Sequence, residues 1–197
     1  MTKYILNSGG LKNNPDKADK FHQEIIKDLG DSPRLLFCFF AQPREYWEEK
    51  FTDYSQRFLA SMDKDINPQI ELAFTESFIS QLKASDAVII YGGDDNLLLY
   101  YLKQYKLPTI WEGKVVAGSS AGSDALVKHF WASDWRRNMD GLGILPIKFI
   151  PHYQSNHNDY GLREKIDWQE AYQDLKNYEE DLPIYALKEG EYIVIEQ

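Results

Sequence analysis

The sequence predicts an α/β domain built on a mainly parallel sheet, and three observations carry that reading. Apolar runs of strand length alternate with segments of helical period along the chain. Two of those runs, Leu35–Phe40 and Ala87–Tyr91, are almost continuously apolar, as strands covered on both faces must be. Small or glycine-rich turns follow the central runs, where a parallel strand hands over to its crossover helix.

In chain order, Tyr4–Leu6 reads as the first strand and Lys17–Leu29 as a helix. Leu35–Phe40 is a second strand, and Arg44–Met62 a long helix with Tyr46, Phe51, Tyr54 and Phe58 at roughly helical spacing. That stripe has the pattern of a core face. Ile70–Phe74 reads as a third strand and Ser77–Lys83 as a short helix. Ala87–Tyr91 is a strand ending at Gly92-Gly93, followed by a helix over Asn96–Tyr105. Lys114–Ala117 is a further strand, and Gly118–Gly122 a tight turn into another helix. Phe149–Ile150 is a short strand, Leu162–Tyr178 is helical, and Ile184–Glu196 reads as a terminal hairpin. There is no repeat, low-complexity stretch or linker, so residues 1–197 are expected to form one domain.

Composition narrows the function. Of the 197 residues, 43% are hydrophobic and 14% aromatic, enough for a substantial core. The net charge of −9 argues against a nucleic-acid binder, which needs a basic face, and against anionic membranes. The one cysteine, Cys38, lies in an apolar run and reads as a buried strand thiol. One cysteine permits no disulfide framework, which fits a cytoplasmic protein. The N-terminus turns polar at Asn7, too early for a signal peptide, and no apolar run is long enough to span a membrane.

The chemistry concentrates in Val115-Val116-Ala117-Gly118-Ser119-Ser120-Ala121-Gly122. Gly-x-Ser-x-Gly between an apolar strand and a helix is the pattern of a nucleophile elbow. The glycines let strand and helix approach closely, while the strained turn presents the Ser120 hydroxyl at the sheet's edge. The Ala121 N–H, at a helix N-terminus, is a candidate oxyanion donor. The alternative is a small-residue turn that serves packing alone.

A serine nucleophile needs a base and a group to orient it. The chain has four histidines. His22 reads as a surface residue of an early helix. His129, on the helix after the elbow, should point away from Ser120. His152 follows a strand end, where catalytic groups collect in open sheets, and leads. His157, in a polar loop, is the alternative. Among acids Asp134 leads, with Asp124 and Asp159 also in reach. The His and carboxylate spacing has no metal-ligand pattern and the glycines no dinucleotide fingerprint, so neither metal nor cofactor is expected.

Gly118-Ser119-Ser120-Ala121-Gly122 resembles the elbow of the peptidase E (aspartyl dipeptidase) family. Ile89–Gly93, Leu142–Pro146, Pro151-His152-Tyr153 and Leu187-Lys188-Glu189-Gly190 resemble further segments of that family in the same order. The resemblance implies a class I glutamine amidotransferase-like three-layer sandwich and a serine peptidase that acts on small peptides with N-terminal aspartate. It implies Ser120 as nucleophile, His152 as base, Asp134 as orienting acid, and Gly93 and Ala121 as oxyanion donors. It also implies Arg163 as the partner of a substrate carboxylate. Separately, a monomer or homodimer is expected. Asp94 and Asp95 depart from the family's Gly and Asn, and would oppose an oxyanion unless both point outward. Cyanophycinase-like hydrolysis and a non-catalytic ligand-binding relative are the competing readings. The α/β-hydrolase esterases place their histidine much further downstream.

Overall fold

The computed structural model of the chain describes residues 1–157 and 164–197. Its first sheet is built by β1 (Lys3–Asn7), β2 (Arg34–Cys38), β3 (Gln69–Leu72), β4 (Ala87–Ile90) and β5 (Val115–Ser119), closed by β10 (Tyr192–Glu196). The strand order is β10-β1-β5-β4-β2-β3, parallel throughout except for the antiparallel β10. Helices α1 (Pro15–Ile26), α2 (Trp47–Ala60), α3 (Phe78–Ala84) and α4 (Asp95–Leu102) supply the crossovers. This is the α/β architecture the alternating runs predict. Because β1, β2, β4 and β5 run in parallel, their carboxyl ends gather Asn7, Cys38, Ile90 and Ser119 at one edge.

Each central strand is apolar on both faces because helices cover both. Ile5, Leu6, Phe37, Val88, Ile89 and Val116 are all sealed from solvent. Cys38 is buried as expected, and burial pushes its thiol up to about 12, so it is inert at neutral pH. The aromatic stripe of α2 divides: Phe58 is core, Phe51 and Tyr54 are half-buried, and Tyr46 stands in solvent on the 3₁₀ turn before the helix.

After β5 the chain departs from expectation. The helix following the elbow, α5 (Ala121–Asp124), lasts one turn and gives way to β6 (Val127–Ala132). His129 is therefore on a strand. It is buried, and its two nitrogens meet Asp140 and Glu180 at 2.7 and 2.9 Å. The β-branched and aromatic content of Val127–Trp131 suits a strand, and it pairs with β7 (Arg137–Asp140) and β8 (Leu145–Ile150). With β9 (Ile184–Ala186) they form a second sheet, ordered β7-β6-β8-β9.

The expected terminal hairpin is also absent. β9 joins β8 in the second sheet and β10 joins β1 in the first, so Leu187–Glu191 crosses between sheets. Hydrogen bonds to both sides fasten this crossing segment, among them Leu187 N to the Ile150 carbonyl and Gly190 N to the Gly9 carbonyl. Helix α6 (Trp168–Asn177) starts later than predicted, at an Asp167 cap whose side chain accepts from Gln169 N and Glu170 N. Its far end is held by Lys148, fully buried, whose ammonium donates to the Lys176 and Tyr178 carbonyls. One contiguous apolar cluster, from Tyr4 to Phe149, runs through both sheets. No described helix is long and apolar enough to cross a membrane.

Candidate active site

Ser120 sits at the junction of β5 and α5 with φ 53° and ψ −120°, a conformation that costs a non-glycine residue about 1–3 kcal/mol. The neighbourhood holds it there. Ser120 N donates to the Asn7 carbonyl at 3.0 Å, and the Ser120 carbonyl accepts from Ser123 N and Asp124 N. The flanking glycines are obligatory for approach rather than flexibility. A Cβ on Gly118 would lie 2.6 Å from the Gly122 backbone, and one on Gly122 would collide with the Ile90 carbonyl oxygen. The elbow expected from Gly-x-Ser-x-Gly is thus present in geometry.

His152 follows β8 and Pro151 and is buried. Its Nε2 lies 3.0 Å from the Ser120 hydroxyl, and its backbone N–H donates to Ser8 Oγ at 2.7 Å. Its Nδ1 lies 3.1 Å from Glu189 Oε1. A carboxylate can only accept there, so the Nδ1 of a neutral ring carries the proton and Nε2 presents its lone pair to Ser120. Burial holds the His152 pKa below the ordinary imidazole value against the opposing pull of Glu189. Glu189 is itself held below the usual carboxylate range, chiefly by the hydrogen bond from His152.

The carboxylate that meets His152 is therefore Glu189 rather than Asp134. Asp134 stands at the solvent-exposed tip between β6 and β7, where its Oδ1 meets His157 Nε2 at 3.2 Å. The reason is directional. The Nδ1 edge of His152 faces the segment that crosses between the sheets, not the β6–β7 turn. His157 in turn lies flat on His152, ring centroids 3.7 Å apart and planes 7° from parallel. Asp124 is buried on α5 beside Asp95, and the carboxylate at His152 Nδ1 is that of Glu189 instead. Asp159 and Arg163 lie outside the described residues.

Gly93 occupies the bend after β4. The turn is pinned by Gln42, whose Nε2 donates to the Gly92 carbonyl at 2.6 Å, and by Asp94 N, which donates to the Ala41 carbonyl at 2.8 Å. Among the described residues, neither the Gly93 nor the Ala121 N–H is spent on another hydrogen bond. The two acids after Gly93 are disposed differently. Asp94 is exposed and caps α4 by accepting from Leu97 N at 2.9 Å. Asp95 is buried beside Asp124, and burial raises the pKa of both.

Three contributors escaped the sequence reading. Glu189 had a family-like turn around it but no role. Asn7, Ser8 and Gly9 form a polar shelf: Asn7 Oδ1 accepts from Gly9 N and Ser119 Oγ, and a Cβ on Gly9 would lie 2.5 Å from the His152 ring. The polarity break after the first strand was their only signal. His22 is not a surface residue. It is buried against Phe58, meets Ser61 Oγ at 2.9 Å, and burial lowers its pKa to about 4. It lines a cavity of about 460 Å³ that reaches from Ser120 and His152 to Tyr54 and Arg57.

No curated protein sequence matches the chain. Among solved structures, a peptidase from an acI-B1 Actinobacterium superposes with a TM-score of 0.67 at 20% identity, covering 99% of this chain and 83% of that one. A protein of Listeria monocytogenes EGD-e, assigned provisionally to peptidase E, gives 0.65 at 19% identity, covering 99% and 94%. At such identities the likeness establishes the shared fold. The model of peptidase family S51 matches residues 4–197. With that match spanning nearly the whole sequence, the chain belongs to peptidase family S51 and is a serine-type peptidase.

Proposed function

We propose that this peptidase hydrolyses small peptides by acyl transfer through Ser120. The observation that carries the reading is the continuous hydrogen-bonded line from Ser120 Oγ through the His152 ring to Glu189. In this scheme His152 Nε2 takes the hydroxyl proton as Oγ attacks the scissile carbonyl, then returns it to the leaving amine. Glu189 orients the ring and stabilises the imidazolium that forms. The N–H groups of Gly93 and Ala121 receive the developing oxyanion. Water then attacks the acyl-enzyme, with His152 again as base.

The cavity beside Ser120 is the proposed seat of the substrate. Peptides with N-terminal aspartate are the first class to test, on the resemblance to aspartyl dipeptidases, with Arg163 as the partner of the acidic side chain. We read the chain as one cytoplasmic domain acting alone or as a homodimer. Hydrolysis of a dipeptide panel by wild type and Ser120→Ala tests the scheme. Turnover should fall by at least about 10⁴-fold in the variant, the scale on which a catalytic serine acts. Unchanged turnover would remove Ser120 from the mechanism, and serine-dependent cleavage of neutral dipeptides alone would remove the aspartate preference.

A further inference from the structure

We propose that Gln42 is a positioning residue of the oxyanion site, whose side-chain amide sets which way the Gly92–Gly93 peptide faces. The inference rests on the reading of the Gly93 N–H as an oxyanion donor.

The peptide that carries this N–H lies against the nucleophile. A Cβ on Gly92 would stand 2.9 Å from Ser120 Cβ and 3.4 Å from its hydroxyl oxygen. Two successive glycines give the peptide little preference for either orientation, because neither has a side chain to bar one of them. Turned over, the peptide would put the Gly92 carbonyl oxygen, a partial negative charge, where the N–H is needed. A partner outside the turn must therefore choose.

Gln42 makes that choice. The Gly92–Gly93 bond is trans, so its C=O and N–H point in opposite directions and holding one aims the other. Gln42 Nε2 donates to the Gly92 carbonyl at 2.6 Å. A Cβ on Gly93 would fall 2.4 Å from the same Nε2, so the amide packs directly on the turn. Gln42 is itself fixed at the backbone. Its N–H donates to the Phe39 carbonyl at 2.8 Å, and its carbonyl accepts from the Nε1 of buried Trp47 at 2.8 Å. A donor on the Gly92 carbonyl also polarises the peptide, which makes the Gly93 N–H the stronger donor toward an oxyanion.

The test is the rate at which diisopropyl fluorophosphate labels Ser120, followed by intact mass. In that reaction Oγ bonds to phosphorus, fluoride leaves and the hydroxyl proton passes to His152. The phosphoryl oxygen takes the oxyanion position, so no peptide preference enters. Near pH 8, Gln42→Met should label roughly 10-fold more slowly than wild type, keeping the second donor at Ala121. Gln42→Glu has the same shape but is ionised there, so it cannot donate to the carbonyl and would draw the turned-over N–H to itself. It should lose about 10²–10³-fold, the scale of a whole oxyanion donor. A role in packing alone predicts the reverse order, because glutamate keeps the shape of glutamine and methionine does not. On any peptide that wild type hydrolyses, the loss should fall in kcat, with KM within about twofold.

Two variants guard against one failing to fold. Labelling at the wild-type rate in either variant, or faster labelling of Gln42→Glu than of Gln42→Met, overturns the inference and leaves Ser120 as nucleophile. No labelling of wild type, or equal labelling of Ser120→Ala, overturns the proposed function, and the role of Gln42 falls with it.

Discussion

Glu189–His152 and Asp134–His157 are the same chemical pair, a carboxylate holding an imidazole, stacked face to face at 3.7 Å. Their surroundings separate them. His152 is buried, fixed by its backbone bond to Ser8 and pressed by Gly9, and its second nitrogen meets the nucleophile. His157 and Asp134 lie nearer solvent, where an ion pair is screened and contributes about 0–1 kcal/mol. The lesson is that identity of the pair does not assign the role. The inner pair is placed to take a proton from Ser120 because the fold holds its geometry; the outer pair has no such contact.

The largest effect expected from this contrast is in the acids. Glu189→Gln should lower kcat by about 10²–10⁴-fold, since an amide can donate to Nδ1 and favour the wrong tautomer. Asp134→Asn should cost at most about fivefold, in line with an exposed pair. Steady-state kinetics of the two variants decide it, and a larger loss in Asp134→Asn would reverse the roles of the two pairs.

The pH profile is the next test. His152 must be neutral to act as base, and burial holds its pKa below the usual 6.5. The acid limb of kcat/KM should therefore lie below pH 6.5, with activity retained at pH values where an ordinary histidine is half-charged. A limb above that value would mean that Glu189 dominates over burial.

The smallest effect concerns stability, at a third carboxyl pair. Asp95 and Asp124 have folded-state pKa values raised above those of the unfolded chain, so the folded state holds protons that the unfolded state releases. Stability contributed by that protonation is full at acid pH. It declines as pH rises from about 4, where unfolded aspartate ionises, through the raised folded-state values, about 7 for Asp95. Asp124→Asn should flatten this decline, raising Tm at pH 8 but not at pH 4, by roughly 2–4 °C for each kcal/mol relieved. An equal shift at both pH values would show that packing, not titration, governs the pair.

The two sheets differ in how much of them the sequence discloses. In the first, long apolar runs and glycine turns disclose the strands, the elbow and Gly93, because a buried parallel strand marks itself locally. In the second, Val127–Ala132 follows the small-residue run Ala121–Ala125, which reads as the start of a longer helix and hides the strand. His22 and His129 were misjudged for a related cause. Burial of a polar ring depends on partners such as Ser61, Asp140 and Glu180, which local pattern does not bring near.

By itself the sequence determined the α/β class and the strained turn at Ser120, and it put His152 ahead of His157 as the histidine to meet it. The first two are written in residues close to one another, where steric demands of glycine, strand and turn act directly; the third rested on a strand end. Only the tertiary structure decided which carboxylate meets His152. Glu189 arrives from a position 37 residues further along, on a segment whose flanking strands are drawn into different sheets. That separation depends on which apolar strand edges are open once the core has formed, and the edges exist only in the folded chain.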